Sequence, residues 1–360
     1  MLSDADYMAR ARHLAERGRG RTSPNPMVGA VVVSREGVIV GQGYHEQAGQ
    51  PHAEVRALDA AAARARGATL YCTLEPCSHT GRTGPCVERI VAAGIARVVA
   101  SVQDPNPIVS GRGFQYLRAH GVQVDIGVGA EQAFHLNRPY FTFVRERRPF
   151  VVMKAALSLD RRVAAAPGAR TSITSDAALR HVHQVRAEID AIGIGSNTVL
   201  IDDPQLTVRG VYRPRPLTRV IFDRRLRTRP AARVFSTLQQ GPVIIMTSAG
   251  AVRESPARAR ALIDVGARIE ALDGSDLASA LTHLGTAHVT SLLLEGGPTL
   301  HASAWDAGLV DCVQLYVAPI TLGKEGVPWL AGDPLAGLVD TRELSFGSDA
   351  FTEGYVHHTY

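Results

Sequence analysis

The sequence predicts two consecutive α/β domains, and three observations predict them. The chain has 360 residues, and at roughly 100–200 residues per domain that length suits two. Strand-like and helix-like runs alternate through both halves, the pattern of largely parallel or mixed sheets with helices on their faces. A charged run closed by proline, Arg145-Glu146-Arg147-Arg148-Pro149, separates the halves, and such punctuation marks a boundary. The predicted division is 1–146 and 147–360.

In the first half, apolar residues recur at helical spacing over about 4–18. Residues 28–33 and 38–40 read as strands of a hairpin turning at Ser34-Arg35-Glu36-Gly37. An Ala-rich helix at about 53–66 is stopped by Gly67. Strands at about 68–74, 97–102 and 122–126 alternate with helices at about 85–93 and 112–120. Residues 131–145 read as a closing helix. In the second half the β-rich runs are FVVMKAAL, AIGIGS, LTRVIFD, PVIIMTS, VTSLLLEGG and CVQLYVAP. Helical patterns lie between them at about 176–187, 254–264, 276–284 and 298–307.

The composition is 45% hydrophobic and 20% charged, that of a soluble globular chain with material for two cores. No apolar run nears the roughly 20 residues of a membrane span. The first helix carries acids and lacks the pattern of a secretory signal. A cytoplasmic enzyme with no membrane contact is therefore expected. The four cysteines are too few for a disulfide scaffold, so those that cluster suggest metal or catalytic use. The net charge of +5 is carried almost wholly by interspersed arginines. That suits a solvated surface, or phosphate binding by some of them. Lys154 is one of two lysines and interrupts an apolar strand, where a charge needs a reason.

His52-Ala53-Glu54 opens the Ala-rich helix, Pro76-Cys77 follows a strand, and Cys86 comes nine positions later. One imidazole and two thiolates make a three-ligand zinc set with the fourth position open to water. Zinc brings the pKa of that water to about 7. Glu54, two residues from His52, is placed to shuttle protons between water, ring nitrogen and leaving amine. The set matches the zinc-deaminase signature H-x-E…P-C-x-x-C, except that the second gap is eight residues. That insert, residues 78–85, is polar and Gly-rich and suits a pocket lining. His45 or His79 as a fourth ligand would instead make a closed structural site. Cys72 and Cys312 read as core residues.

The stretches around these residues resemble a known family. They are Pro24-Asn25-Pro26-Met27-Val28-Gly29, Gly43-Tyr44-His45, Gly49-Gln50-Pro51-His52-Ala53-Glu54, residues 73–82 and Gln103-Asp104-Pro105-Asn106-Pro107. They are similar to the deaminase half of the bifunctional riboflavin-biosynthesis family. Its members join a diaminohydroxyphosphoribosylaminopyrimidine deaminase to a 5-amino-6-(5-phosphoribosylamino)uracil reductase. The long gap between the cysteines also looks like that family. The resemblance implies a cytidine-deaminase-like α/β/α fold, with Asn25 and His79 contacting substrate. Asn25 lies between two prolines, so an ordinary turn residue is its rival reading.

In the second half, Gly193-Ile194-Gly195-Ser196 is a weak dinucleotide signal. Leu294-Glu295-Gly296-Gly297-Pro298 runs from strand to helix and reads equally as a phosphate cradle or a plain turn. Lys154, Ser158-Leu159-Asp160, Ile173-Thr174-Ser175, Arg186, residues 196–200, Asp202-Asp203-Pro204, residues 206–209 and 295–299 resemble the reductase half. The resemblance implies a dihydrofolate-reductase-like α/β fold that uses NADPH. By position, Leu157, Ser172, Thr198, Asp202, Gly297, Pro298, Thr299, Leu300, His301, Ala302 and Ser303 would bind the cofactor. Arg170, Arg186, Leu206, Arg209 and Glu295 would bind substrate, and Lys154 and Asp202 would assist hydride transfer. Taken without the resemblance, Arg186 and Arg209 read as surface ion pairs. The chain departs from the family pattern at Leu157, Arg161, Arg170 and Ser172, with arginine where glycine is usual after Ser-Leu-Asp.

The function expected is deamination at zinc of a small phosphorylated diaminopyrimidine, then reduction of its ribosyl group by NADPH, in a homo-oligomer. A nucleic-acid base deaminase is a rival, but basic residues form no single run and aromatics are 6%. Two further rivals are a deaminase with an inactive reductase domain and a structural zinc module.

Overall fold

The structure is a computed structural model describing residues 2–79, 84–274 and 276–356. It parts into two units between Arg147 and Arg148. Among the described residues no helix is long and apolar enough to cross a membrane.

The first unit begins with α1 (Asp4–Glu16), started by a capping box between Ser3 and Asp6. Then come β1 (Gly29–Val33), β2 (Ile39–Tyr44), α2 (Ala53–Ala61), β3 (Thr69–Cys72), α3 (Cys86–Ala92), β4 (Arg97–Ala100), α4 (Arg112–Ala119), β5 (Gln123–Ile126), α5 (Ala130–Leu136) and α6 (Arg138–Glu146). The sheet among the described residues runs β2-β1-β3-β4-β5. β1 is antiparallel to β2 and β3, while β3, β4 and β5 are parallel. Side-chain alternation sorts two cores. Ala30, Val32, Leu70, Cys72, Val98 and Ala100 pack against α2, α3 and α4. Val31, Val33, Tyr71 and Val99 pack against α1 on the other face. The result is an α/β/α sandwich.

The second unit runs β6 (Phe150–Ser158), β7 (Arg162–Ala164), α7 (Asp176–Glu188), β8 (Ala191–Gly195), α8 (Ser196–Asp202), β9 (Thr218–Phe222), β10 (Val243–Ser248), α9 (Ala249–Glu254), α10 (Pro256–Asp264), β11 (Ala267–Leu272), α11 (Leu277–Thr286), β12 (Ser291–Leu294), α12 (Pro298–Asp306), β13 (Cys312–Ala318), β14 (Val327–Pro328), β15 (Val339–Phe346) and β16 (Asp349–Tyr355). Its main sheet among the described residues has the order β11-β10-β9-β8-β12-β6-β13-β16-β15. The first seven are parallel, and β16 and β15 close the edge antiparallel. Apolar residues line both faces of the parallel strands, as burial under two helical layers requires.

Several elements differ from the sequence expectation. The closing helix breaks at Asn137, whose side chain accepts from the Met27 N–H at 2.7 Å and donates to the Met27 carbonyl at 2.8 Å. The helix expected at 254–264 starts at Pro256, which takes its first position, and a separate short helix, α9, ends just before it at Glu254. The Ala-rich helix ends at Ala61, where Ala62 turns to φ 49° and Arg64 folds back onto the Val40 and Ala60 carbonyls. β7, α8, β11, β14, β15 and β16 were not foreseen; β15 is mostly exposed, so no apolar period marks it.

Candidate active sites

In the first unit the N-terminus of α2 meets the turn after β3. His52 is the extended residue before α2, and Cys86 is the first residue of α3. His52 Nδ1 lies 3.5 Å from Cys77 Sγ and 3.3 Å from Cys86 Sγ. With metal–ligand bonds of about 2.0–2.3 Å, a tetrahedral zinc site has ligand–ligand edges of roughly 3.5 Å. The donor set therefore fits zinc in both chemistry and spacing. Among the described residues the cluster has these three members, all within 4.8 Å of one another. His45 and His79, the possible fourth ligands, do not join it. His45 Nε2 instead meets Asn25 Nδ2 at 3.1 Å, and its Nδ1 meets the Pro51 carbonyl at 3.3 Å.

Glu54 is 3% exposed, and its Oε2 is buried without a hydrogen-bond partner. Burial pushes its carboxyl up to about 7, against the opposing pull of His52. The hydrogen bond with Cys86, then that with His52, hold Cys77 down to about 4 despite its burial. The Nδ1 of His79 is also buried and unpartnered. Of the polar insert, residues 80–83 lie outside the described residues. Cys72 and Cys312 are buried within apolar cores, as expected.

Glu75 and its partners were missed in the sequence. The carboxylate accepts from the N–H groups of Asp104 at 3.1 Å, Gly111 at 2.9 Å and Gly113 at 2.9 Å. A Cβ on Gly113 would sit 2.2 Å from the Pro76 carbonyl oxygen. The zinc turn and the start of α4 are thus fastened together. Burial pushes Asp104 up to about 6, and the hydrogen bonds it accepts from the Asn106 N–H and the Tyr140 hydroxyl oppose it. The available signal was an acid embedded between an apolar strand and Pro76-Cys77.

In the second unit the strand ends open onto a cavity of about 1220 Å³. Lys154, Thr198, Asp202, Glu295, Gly297, Pro298, Thr299, Leu300, His301 and Ser303 line it. Pockets for drug-sized ligands are typically about 300–1,000 Å³, so this one has room for a dinucleotide and a second small molecule. Thr198 Oγ1 accepts from the Gly297 N–H at 3.1 Å. A Cβ on Gly296 would approach the Gly195 nitrogen to 3.1 Å. This bare glycine turn leading into α12 fits the pyrophosphate of a dinucleotide. Burial raises the Asp202 carboxyl, and the charge of Arg170 opposes that.

Arg186 and Glu295 form a bidentate pair at 2.7 and 2.6 Å. The third guanidinium nitrogen donates to the Thr207 carbonyl at 3.0 Å. Burial works to raise Glu295, but the Arg186 charge and hydrogen bonds outweigh it and hold the carboxyl at about 2. Lys154 Nζ sits 5.5 Å from the Tyr316 ring centroid. Its burial lowers its pKa, with Glu295 opposing.

The structure alters what several expected residues offer a ligand. Three of the five N–H groups of Arg186 already donate, two to Glu295 and one to the Thr207 carbonyl, which leaves one on each terminal nitrogen for a ligand. Leu157 and Leu206 are 1% and 4% exposed as whole residues and lie within the apolar cores, outside the cavity lining, so neither offers surface to a ligand here. His301 meets the Leu294 carbonyl through Nε2 and accepts from Trp329 through Nδ1, so its ring is a strut rather than a contact. Arg170, Ser172, Ala302 and Arg209 lie outside the cavity lining, and of these Arg170, Ser172 and Arg209 are exposed. Arg161 takes φ 58°, the left-handed region that favours glycine, and reaches Asp333 at 3.1 Å.

Comparisons with known proteins match a family to each half of the chain. Residues 1–102 match the family described as the cytidine and deoxycytidylate deaminase zinc-binding region, and residues 149–349 match the RibD C-terminal domain. The chain is 42% identical over 321 residues to the riboflavin biosynthesis protein RibD of Aquifex aeolicus, covering 89% of this chain and 88% of that one. It is similar to the solved structure of Acinetobacter baumannii RibD, form 1, with a TM-score of 0.86, 35% identity and 99% of each chain covered. A deaminase/reductase structure from Thermotoga maritima gives a TM-score of 0.83 at 34% identity over 98% of each chain.

Proposed function

The chain belongs to the RibD family of bifunctional riboflavin-biosynthesis enzymes, and we propose that its two units carry the deaminase and reductase activities through the residues placed above. It is a zinc-dependent deaminase joined to an NADPH-dependent reductase. The substrates proposed are those in the name of the Thermotoga maritima relative: a diaminohydroxyphosphoribosylaminopyrimidine, then a 5-amino-6-(5-phosphoribosylamino)uracil. When bound, zinc supplies a Lewis-acidic centre that makes water nucleophilic near neutral pH, and NADPH supplies the electron pair for reduction.

His52, Cys77 and Cys86 hold the metal. Glu54 takes a proton from water at Oε2 and returns protons to the ring nitrogen and the departing amine. Asn25, oriented by His45, and His79 present polar groups to the pyrimidine edge. In the second unit Thr198, Asp202 and the backbone of residues 297–303 hold the dinucleotide. Lys154, kept beside Glu295, holds a proton at Nζ for the opened ribose. Glu295 contacts substrate from its bond with Arg186, with Arg170, Arg209 and Leu206 around it. Cytoplasmic residence and assembly into a homo-oligomer belong to the same proposal.

The observation that carries the deaminase assignment is the three-donor cluster beside a buried carboxylate with an unspent oxygen. The test follows ammonia release and NADPH consumption together on the phosphoribosylated diaminopyrimidine. Both signals are expected, and removing zinc with a chelator abolishes both, because reduction needs the deaminated product. Ammonia release without NADPH consumption overturns the reductase assignments.

A further inference from the structure

We propose that Tyr316, on β13, is a positioning residue for Lys154: its ring holds the ammonium group at the cavity wall, and a hydrogen bond to His181 of α7 fixes the ring. The inference rests on the reading above that gives Lys154 a part in the reduction.

Lys154 stands in β6 and lines the cavity. A lysine carries a compact charge on a flexible four-carbon stem, so its head needs a partner to stay in one place. Among the described residues Lys154 makes no hydrogen bond or ion pair. The charged groups around it are Glu295 from the turn after β12, Arg186 from α7 and, when protonated, His301 from α12. Both oxygens of Glu295 already accept from Arg186. Gln314, the register partner of Lys154 on β13, donates to Glu353 at 2.7 Å. What the ammonium does meet is the Tyr316 ring, with Nζ 5.5 Å from its centroid. That is inside the roughly 6 Å over which an aromatic face attracts a cation.

The ring is held from several elements. Tyr316 is 1% exposed and packs with Ala178 and Val182 of α7 and Phe351 of β16. Its ring centroid lies 4.8 Å from that of Phe351 and 6.3 Å from that of Phe346 on β15. Strand alternation puts Lys154 and Ala156 on one face of β6, and Ala156 is the register partner of Tyr316. The small alanine leaves the phenol ring as the bulky neighbour of the ammonium. The Tyr316 hydroxyl and His181 Nδ1 share a hydrogen bond of 2.7 Å. His181 is itself stacked on Phe346 at 4.1 Å and meets Phe351 edge-on at 5.1 Å. The charges near this pair are Glu353 and Arg342 for His181, and Glu295 and Glu353 for Tyr316. Burial lowers the His181 pKa and raises that of Tyr316, so near neutral pH both are uncharged. The hydroxyl is thus tied to α7, and the ring is left to Lys154.

A ring suits this task better than a carboxylate or an amide. It attracts the cation through its π electrons and accepts none of the N–H donors. A carboxylate or amide oxygen would hold the ammonium by taking those hydrogens. With Tyr316 as the support, the donors of Lys154 remain for the oxygens of the opened ribose. The ring also favours the charged form of Lys154 against its burial, and so keeps a proton at Nζ.

The chain has two lysines, Lys154 and Lys324. Full-length protein grown with lysine labelled by carbon-13 at Cε therefore gives two signals, whose titrations by nuclear magnetic resonance report each amine separately. Lys324 is exposed and serves as the reference. The proteins are wild type, Tyr316→Phe, which keeps the ring, and Tyr316→Leu, which removes it. In wild type the Lys154 midpoint is expected below that of Lys324. In Tyr316→Leu it is expected to fall further, by about half a pH unit or more. There kcat for reduction of the deaminated substrate is expected to drop about tenfold or more, since small misplacements of a reacting group carry costs of that order. The KM for NADPH stays within about twofold. Tyr316→Phe is expected to keep the midpoint within about 0.2 pH units and kcat within about threefold. Circular dichroism checks the fold, and Tyr316→Met takes the place of a leucine variant that unfolds, with the same expected values. An unchanged midpoint without the ring overturns the proposal. Equal losses in the phenylalanine and leucine variants also overturn it, because the hydroxyl would then be the holding group. A Lys154→Met variant that reduces substrate at the wild-type rate overturns the part given to Lys154, and this proposal with it.

Discussion

Glu54 and Glu295 are both buried carboxylates, and their partners give them opposite characters. Glu54 has an unspent oxygen and a carboxyl pushed up to about 7, so it can exchange protons. Glu54→Gln keeps volume and burial but removes that capacity. The variant is expected to retain zinc by atomic absorption and to release ammonia at least about 100-fold more slowly. Retained zinc with full turnover would eliminate the role assigned to Glu54. Glu295 is locked by Arg186, which holds it at about 2 against an ordinary 4.5. Its folded-state pKa is depressed, so the stability it contributes is present above about 4.5 and is lost as pH falls toward 2. The amount is about 3 kcal/mol. Glu295→Gln would leave Arg186 buried and uncompensated, costing roughly 3–5 kcal/mol at neutral pH. Acid titration of unfolding by circular dichroism should show the wild type and the variant converging as pH falls from 4.5 to 2. Parallel curves would mean that the pair contributes no pH-dependent stability.

Among the elements, α4 shows how a helix start can be capped from far away in sequence. Its N-cap is Gly111, which has no side chain to cap with. Glu75 supplies the acceptors instead, at the helix end where negative charge is favoured. In Glu75→Gln an amide group would face a backbone N–H, leaving a buried donor unmet. The expected cost is about 1–3 kcal/mol, read as a lower urea midpoint with an unchanged slope. An unchanged midpoint would mean that water or another group caps α4. The elements visible in the sequence were those whose packing is periodic. Val31 and Val33 face one layer while Ala30 and Val32 face the other, and that alternation marks β1. The break at Asn137 was invisible because its cause, Met27, lies 110 residues away. The exposed edge strand β15 had no apolar pattern to find.

For the whole molecule, the zinc donors and the dinucleotide cavity lie in different units, each with its own apolar cores. Chelation is therefore expected to stop ammonia release while NADPH affinity stays within about twofold in a direct titration. Loss of NADPH affinity on chelation would show that the two sites are coupled. The sequence by itself determined the two-part α/β plan and singled out His52, Cys77, Cys86 and Glu54, which the structure brings together. Those follow from periodic burial and from catalytic residues at short, chemically constrained spacings, which one chain displays without its fold. It also carried the motifs of the reductase half through resemblance. The tertiary structure decided which charged groups are spent and which are free. Arg186 belongs to a stretch that resembles the family, and the structure shows it held by Glu295 and Thr207. The physical reason is that pairing depends on burial and on partners brought together by the sheet order. Arg186 and Glu295 are 109 positions apart in the chain, and no local pattern records that they touch.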